Sequence, residues 1–275
     1  MRRRRLAAEF HRLRNQSHRT LEEVAAHLEC SPAKVSRIEN GQVALRIQDA
    51  RDLLDLYDVD EDRRTELLQM VRQARSKSWW SSYADLLDES AQTLLSLEDE
   101  ATSILIYETN MVAALLQTRR YAWELLATRP DAQLDQVQRQ VELRMARQQV
   151  LDRADAPLLS VVLDEASLRR PAGSHDVMRE QCEHLITFSE RPRVNLRVLP
   201  FSAGPHQAMG FPIQIFKFAV NEPQLVYVEL LGGGQLLEIA EEVGRYCAAY
   251  NQVHEQALPP GKSRDFLEGL AKDFG

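Results

Sequence analysis

The sequence predicts two domains: a wholly helical one over residues 1–75, and an α+β one with a small sheet over residues 76–275. Three observations carry this expectation. Apolar residues in the first part recur at helical spacing and are punctuated by helix-cap residues. Beyond residue 156, β-branched apolar runs alternate with helical patterns, with Pro and Gly between them. Charge divides at the same place. Residues 1–50 carry ten Lys/Arg against six Asp/Glu, whereas residues 76–275 carry nineteen against twenty-eight. A basic head on an acidic body, within a net charge of −7, implies that only the head meets a polyanion. Arg2 to Arg5 either extend that contact or form a solvated terminus.

In the first domain, Leu6, Phe10 and Leu13 fall on one face of a helix. Thr20 fits an N-cap, and Glu23 completes a capping box. Val24, Ala25 and Leu28 give the second helix its stripe. Ser31 is the next N-cap, with Pro32 at the first helical position, where its missing N–H costs nothing. Val35 and Ile38 face inward, and Gly41 is expected to end the helix.

Two short helices joined by about three residues, with small Ala25 where they cross, form a helix-turn-helix. The outward positions of its second helix are Pro32, Ala33, Lys34, Ser36, Arg37 and Asn40. Lys34 and Arg37 share a face on the half that enters a major groove, and Arg suits guanine O6 and N7 through its fork of donors. The expected partner is double-stranded DNA. The rival is a small helical bundle with a solvated basic face.

The run "TLEEVAAHLECSPAKVSRIENG" resembles the Xre (lambda-repressor/Cro-like) helix-turn-helix family. That resemblance implies five helices, the fourth in "IQDARDLLDLYDV" and the fifth in "DEDRRTELLQMVRQARSK". It implies that Arg14 and Glu39 form a buried structural ion pair. It implies that Thr20, Ser31 and Asn40 hold phosphates, and that Arg46 lies near the backbone or a narrow minor groove. The chain departs from the family at Leu21, where Gln is frequent, at Glu29, where Gly is frequent, and at Arg19, where an apolar staple is usual. Leu21 puts the second helix's DNA contact in question, and Glu29 is expected to strain the turn.

The second domain opens on Trp79, Trp80 and Tyr83, too costly for a free linker and expected to pack the junction between the domains. Helices are expected over about 92–106, 111–127 and 134–154, a buried strand over 157–164 and a helix over 174–189. "RVNLRVLPF", "FPIQIFKFAV" and "QLVYVELL" read as strands, and "GGGQ" at 232–235 as a turn before a long helix. "SRDFLEGLAKDF" closes the chain as a helix. "WWSSYADLL", "LLQTRRYA", "VNLRVLPFSAGPH" and "VYVE" resemble the C-terminal domain of many actinobacterial Xre regulators. Ala113 and Ala114 stand where that family has Pro-Gly. Such regulators are often encoded beside a small partner protein, an arrangement likened to antitoxin and toxin. The resemblance implies a second domain that receives an effector or a protein partner, and alternatively an antitoxin-like protein that neutralises its neighbour and autoregulates.

No catalytic chemistry is expected. No nucleophile elbow, phosphate loop or dinucleotide fingerprint occurs. Cys182 and His184 point to different helix faces, so no metal and no cofactor is expected. Asp164, Glu165 and Glu229 read as strand-end caps ahead of a nuclease-like site. Trp79, Trp80, Tyr83, Tyr107, Tyr121 and Trp123 are candidate walls of a small-molecule pocket, and His206 is a candidate in the "FSAGPHQAMGF" loop. The three cysteines are isolated, no apolar run is long enough for a membrane span, and the arginine start lacks an apolar region behind it. The expected compartment is the cytoplasm. A homodimer is expected, because useful specificity takes two half-sites.

Overall fold

A computed structural model describes residues 2–40, 43–75, 78–130, 132–219 and 222–275, with the side chains of residues 2–5 and 73–75 outside the description. The arginine run's contacts and Gly41 therefore fall outside the described residues. The chain divides into two compact units, Met1–Ser81 and Ser82–Gly275.

The first unit contains α1 (Arg2–Gln16), α2 (Leu21–His27), α3 (Pro32–Glu39), α4 (Ile47–Leu56) and α5 (Glu61–Arg75). Leu6, Phe10 and Leu13 of α1 meet Val24, Ala25, Val35, Ile38, Leu53 and Leu54 in one core. α4 carries Ala50, Leu53 and Leu54 at helical spacing and ends at Tyr57, also buried. An eight-residue 3₁₀ segment, Trp79–Leu86, kinked at Tyr83, follows, and the Trp79 and Trp80 rings meet edge to face at 5.4 Å.

The second unit is built on one six-stranded mixed sheet, in the order β3-β2-β1-β4-β5-β6. The strands are β1 (Ser103–Glu108), β2 (Leu158–Asp164), β3 (Val194–Leu199), β4 (Ile213–Lys217), β5 (Leu225–Leu230) and β6 (Gly233–Leu237). β1, β2 and β3 are parallel, and β4, β5 and β6 continue the sheet antiparallel from β1. Before β1 comes α6 (Glu89–Glu100). Between β1 and β2 lie α7 (Arg119–Leu126) and α8 (Leu134–Gln148), and between β2 and β3 lie α9 (Glu165–Arg169) and α10 (His175–Ser189). α11 (Ala240–Gln256) and α12 (Pro260–Asp273) close the chain.

α11 lays Val243, Ala249, Tyr250 and Val253 on a sheet face made of Tyr107, Val162, Ile213, Ile215 and Val226. Because strand side chains alternate, Ile104, Ile106, Glu108, Val161, Leu163, Gln214, Phe216 and Tyr227 point to the other face. α12 packs on α10 and β3, and it buries Leu267 and Leu270.

Three expectations are corrected. The helix expected over 92–106 stops at Glu100, and "SILIYE" is the central strand β1. A short apolar run has no helical or strand period, and burial on both faces suits β-branched residues in a strand. The helix expected over 111–127 is a 3₁₀ turn, Ala114–Leu116, followed by α7, whose N-cap is Thr118. "GGGQ" is not a turn leading into a helix but the start of β6, and α11 begins at Ala240. The glycines there are required: a Cβ on Gly234 would stand 1.9 Å from the Tyr227 hydroxyl, and Gly233 has φ +136°.

Candidate nucleic-acid interface

The turn between α2 and α3 is built from side chains that satisfy free helix ends. The Glu23 N–H donates to Thr20 Oγ1 at 3.2 Å and the Thr20 N–H to Glu23 Oε2 at 2.8 Å. At the other end of α2, the Cys30 N–H donates to Ala25 O at 2.8 Å, which throws Glu29 into the left-handed region at φ +49°. A non-glycine residue there costs about 1–2 kcal/mol. The strain expected from Glu29 is thus located in one residue, and the backbone still closes. The Lys34 N–H then donates to Ser31 Oγ at 3.3 Å, and Pro32 opens α3.

α3 is anchored from below. Arg14 Nε and Nη2 donate to Glu39 Oε1 and Oε2 at 2.8 and 3.0 Å, and Arg14 Nη1 donates to the Arg19 carbonyl at 2.9 Å. One guanidinium thereby ties α1 to the last turn of α3 and to the residue before the α2 cap. Its pKa is raised by the hydrogen bonds to Glu39. Val35 and Ile38 face the core beneath it.

What remains outward is Ser31, Pro32, Ala33, Arg37 and Asn40, all exposed, with Lys34 and Ser36 half-buried. Thr20 and Arg46 are exposed as well, Arg46 as the N-cap of α4. Asn40 Nδ2 donates to Ser36 Oγ at 3.3 Å. Among the described residues Arg37 reaches only Ala33 O, through Nε at 3.4 Å, and leaves its guanidinium terminus open. Lys34 is held: its Nζ lies 3.3 Å from Asp49 Oδ2 of α4. Asp49 was invisible in the sequence, because no local spacing joins residues fifteen apart. The one trace was an acid in the first turn of α4, where a carboxylate also favours the helix dipole.

The remaining candidates lie elsewhere. Trp79 and Trp80 belong to the first unit, and Tyr83 follows in the same 3₁₀ segment. Tyr121 is in the core of the second unit, where its hydroxyl accepts from the Val112 N–H at 3.1 Å. Trp123 packs beside Leu126, Val137 and Val141. The aromatic set therefore falls in both units and is not gathered around one pocket within either. The buried Tyr107 hydroxyl donates to Asp164 Oδ2 at 3.1 Å and lies 3.2 Å from His206 Nε2, whose other ring nitrogen is buried with no partner among the described residues. Asp164 also caps α9, and Glu165 accepts from the Phe201 N–H at 2.8 Å. Beside His206, a groove of about 210 Å³ runs between Phe211, Ile213, Arg245 and Tyr246. Among the described residues no three His, Cys, Asp or Glu stand together as metal ligands, and no helix is long and apolar enough to cross a membrane.

Capped helices, a core-locked α3 and an open basic face define a helix-turn-helix DNA-binding domain, and the family described by that name matches residues 5–67. The chain belongs to the family of the domain of unknown function DUF5753, which matches residues 91–269. No curated protein and no solved structure gives a significant match.

Proposed function

We propose that this protein is a sequence-specific transcriptional regulator of the Xre type. In this reading α3 enters the major groove, Arg37 reads a base edge, and Thr20, Ser31 and Asn40 hold phosphates on either side. The single observation that carries the reading is Arg37. It is the exposed cation in the last turn of an anchored helix, with its guanidinium terminus uncommitted among the described residues. A bidentate pair with guanine needs those free donors. The second domain, residues 76–275, receives an effector or a protein partner and holds two copies together, so that two α3 helices address half-sites about one helical turn apart. Its acidic character keeps it off the DNA. The exposed Phe201, Met209 and Phe211 around the groove favour a protein partner there. Footprinting on the protein's own upstream region tests the reading. A protected pair of half-sites, lost with Arg37→Ala, supports it. Equal protection of unrelated DNA at the same salt defeats it.

A further inference from the structure

The sheet face turned away from α11 is apolar over β2 and β3 and polar at its other end. Ile106, Gln214 and Tyr227 lie opposite one another across β1, β4 and β5. One row further on, Glu108 ends β1 and Glu229 stands on β5, on either side of the start of β4. Helix residues lie near enough to share this row's electrostatics. Arg144 and Arg147 are three apart on α8, Glu98 is in the last turn of α6, and Gln117 follows the 3₁₀ turn.

Two of these groups form a closed pair. Arg147 Nε and Nη2 donate to the two oxygens of Glu98, each at 2.6 Å. The others are left open. Glu108 is 7% exposed, and among the described residues no donor reaches its carboxylate. Gln214 is 5% exposed, and its Oε1 is buried without a partner. Arg144 gives one N–H to Gln117 Oε1 at 2.5 Å and pairs with no carboxylate among the described residues. Buried acceptors without donors are among the costliest arrangements in a fold, and a half-buried guanidinium without an anion adds to the cost. Glu98 and Arg147 show that a direct pair can close in this layer. Glu108 and Arg144 feel each other's charge and are nevertheless held apart.

The open groups specify what is missing. The sheet side needs N–H donors carrying positive charge, and the helix side needs an anion that accepts from a planar fork, for which Arg is better shaped than Lys. We propose that these open groups bind a small dipolar ion of the free α-amino-acid class, its ammonium on Glu108 and Gln214 Oε1 and its carboxylate on Arg144. Glu108 stands at the carboxyl end of parallel strand β1, where open α/β sheets take their ligands. Burial, then Glu229, pushes the Glu108 pKa to about 8, and burial lowers that of Arg144 to about 10. Each group is thus short of the opposite charge that the guest brings.

The inference deepens, and rests on, the reading of the second domain as a receiver of signals. Isothermal titration of the full chain with each standard free amino acid tests it, with acetate and methylamine as half-ligands. Expected is saturable one-to-one binding of at least one amino acid, with both half-ligands far weaker. Glu108→Gln and Arg144→Gln should each weaken it about tenfold or more, as loss of a charge-assisted hydrogen bond implies. Glu108→Gln keeps the shape and removes a buried charge, so it decides the matter if Arg144→Gln fails to fold. The proposal is overturned if no amino acid gives a saturable heat, if acetate matches the best of them, or if Glu108→Gln binds as wild type does. The same ligand is then added to an operator titration. Binding that leaves operator affinity unchanged keeps the site and removes its role as a signal.

Discussion

The ammonium of Lys34, on the helix that faces DNA, lies 3.3 Å from the carboxylate of Asp49 on α4. Both groups keep partial contact with water, at 31% and 17% side-chain exposure, so the pair contributes at most about 1 kcal/mol to stability. Its consequence is for binding. A lysine free to meet a phosphate steepens the dependence of log K on log salt by about one. Lys34 held by Asp49 contributes less than that, and Lys34→Ala should change the slope by well under one. Asp49→Ala releases the lysine and should steepen the slope while raising affinity for unrelated DNA. Salt titrations of both variants on specific and random duplexes check this. Identical slopes for wild type and Asp49→Ala would mean that the pair opens on DNA.

Arg37 has no such restraint. Arg37→Ala should cost about 1–3 kcal/mol on the specific site and relax preference at one base pair. The loss on random DNA should be much smaller. Competition binding at fixed salt, with each base pair of the half-site varied in turn, locates the contact. Wild-type affinity in this variant would take α3 out of the groove.

Arg14 and Glu39 are nearly out of water, at 12% and 6% side-chain exposure, and the Arg14 guanidinium also holds the Arg19 carbonyl. Removing either partner strands the other and should cost about 3–5 kcal/mol. Arg14→Ala releases three hydrogen bonds and should be the worse of the two. Denaturant unfolding of both single variants and of Arg14→Met/Glu39→Leu measures it. The double variant should recover much of the loss, because no charge is then left alone.

Much of the first domain was legible because its signals are local. Caps at Thr20 and Ser31, a proline at the first helical position and apolar residues at i, i+3 and i+4 each need only one turn of chain. β1 was hidden for the opposite reason. "ILIY" is apolar at every position, since Ile104 and Ile106 face one layer and Leu105 and Tyr107 the other, so no period distinguishes strand from helix. β6 was hidden because its glycines carry no strand propensity. Gly234 is there to let the Tyr227 ring pass. Asp49 against Lys34, and Glu108 facing Arg144 across a layer, are joined only by the fold.

The homodimer has a sharper form once the fold is known. The closing helix α12 already buries Leu267 and Leu270, packed on α10 and β3 of its own subunit. α8 still exposes Leu134, at 70%. Light scattering on the full chain should give twice the chain mass at micromolar concentration, and Leu134→Glu should shift it towards monomer. An isologous interface uses the residue twice, so one substitution places two charges at the contact. A wild-type monomer with a footprint of one half-site would end the dimer model.

The last expectation concerns Glu108, whose carboxyl titrates at about 8 in the fold against an ordinary value of 4.5. Burial is the main cause. Glu229 adds to it, and Arg147 and Arg144 oppose it. A value raised by folding means that the fold prefers the protonated form. Its contribution to stability is therefore full below about pH 4.5 and is lost as pH rises through 8. Glu108→Gln keeps the shape without the titration. The two proteins should melt alike near pH 4.5, and the variant should gain steadily up to pH 8, by up to about 5 kcal/mol, and then hold level. An ammonium guest reverses the balance, since it needs the ionised carboxylate. Its affinity for the wild type should rise with pH across the same interval, while Glu108→Gln shows no such rise. Melting curves and titrations at half-unit steps from pH 5 to 9 read both effects on one preparation. A wild-type stability that climbs through this range relative to the variant would place an unseen partner on Glu108 already.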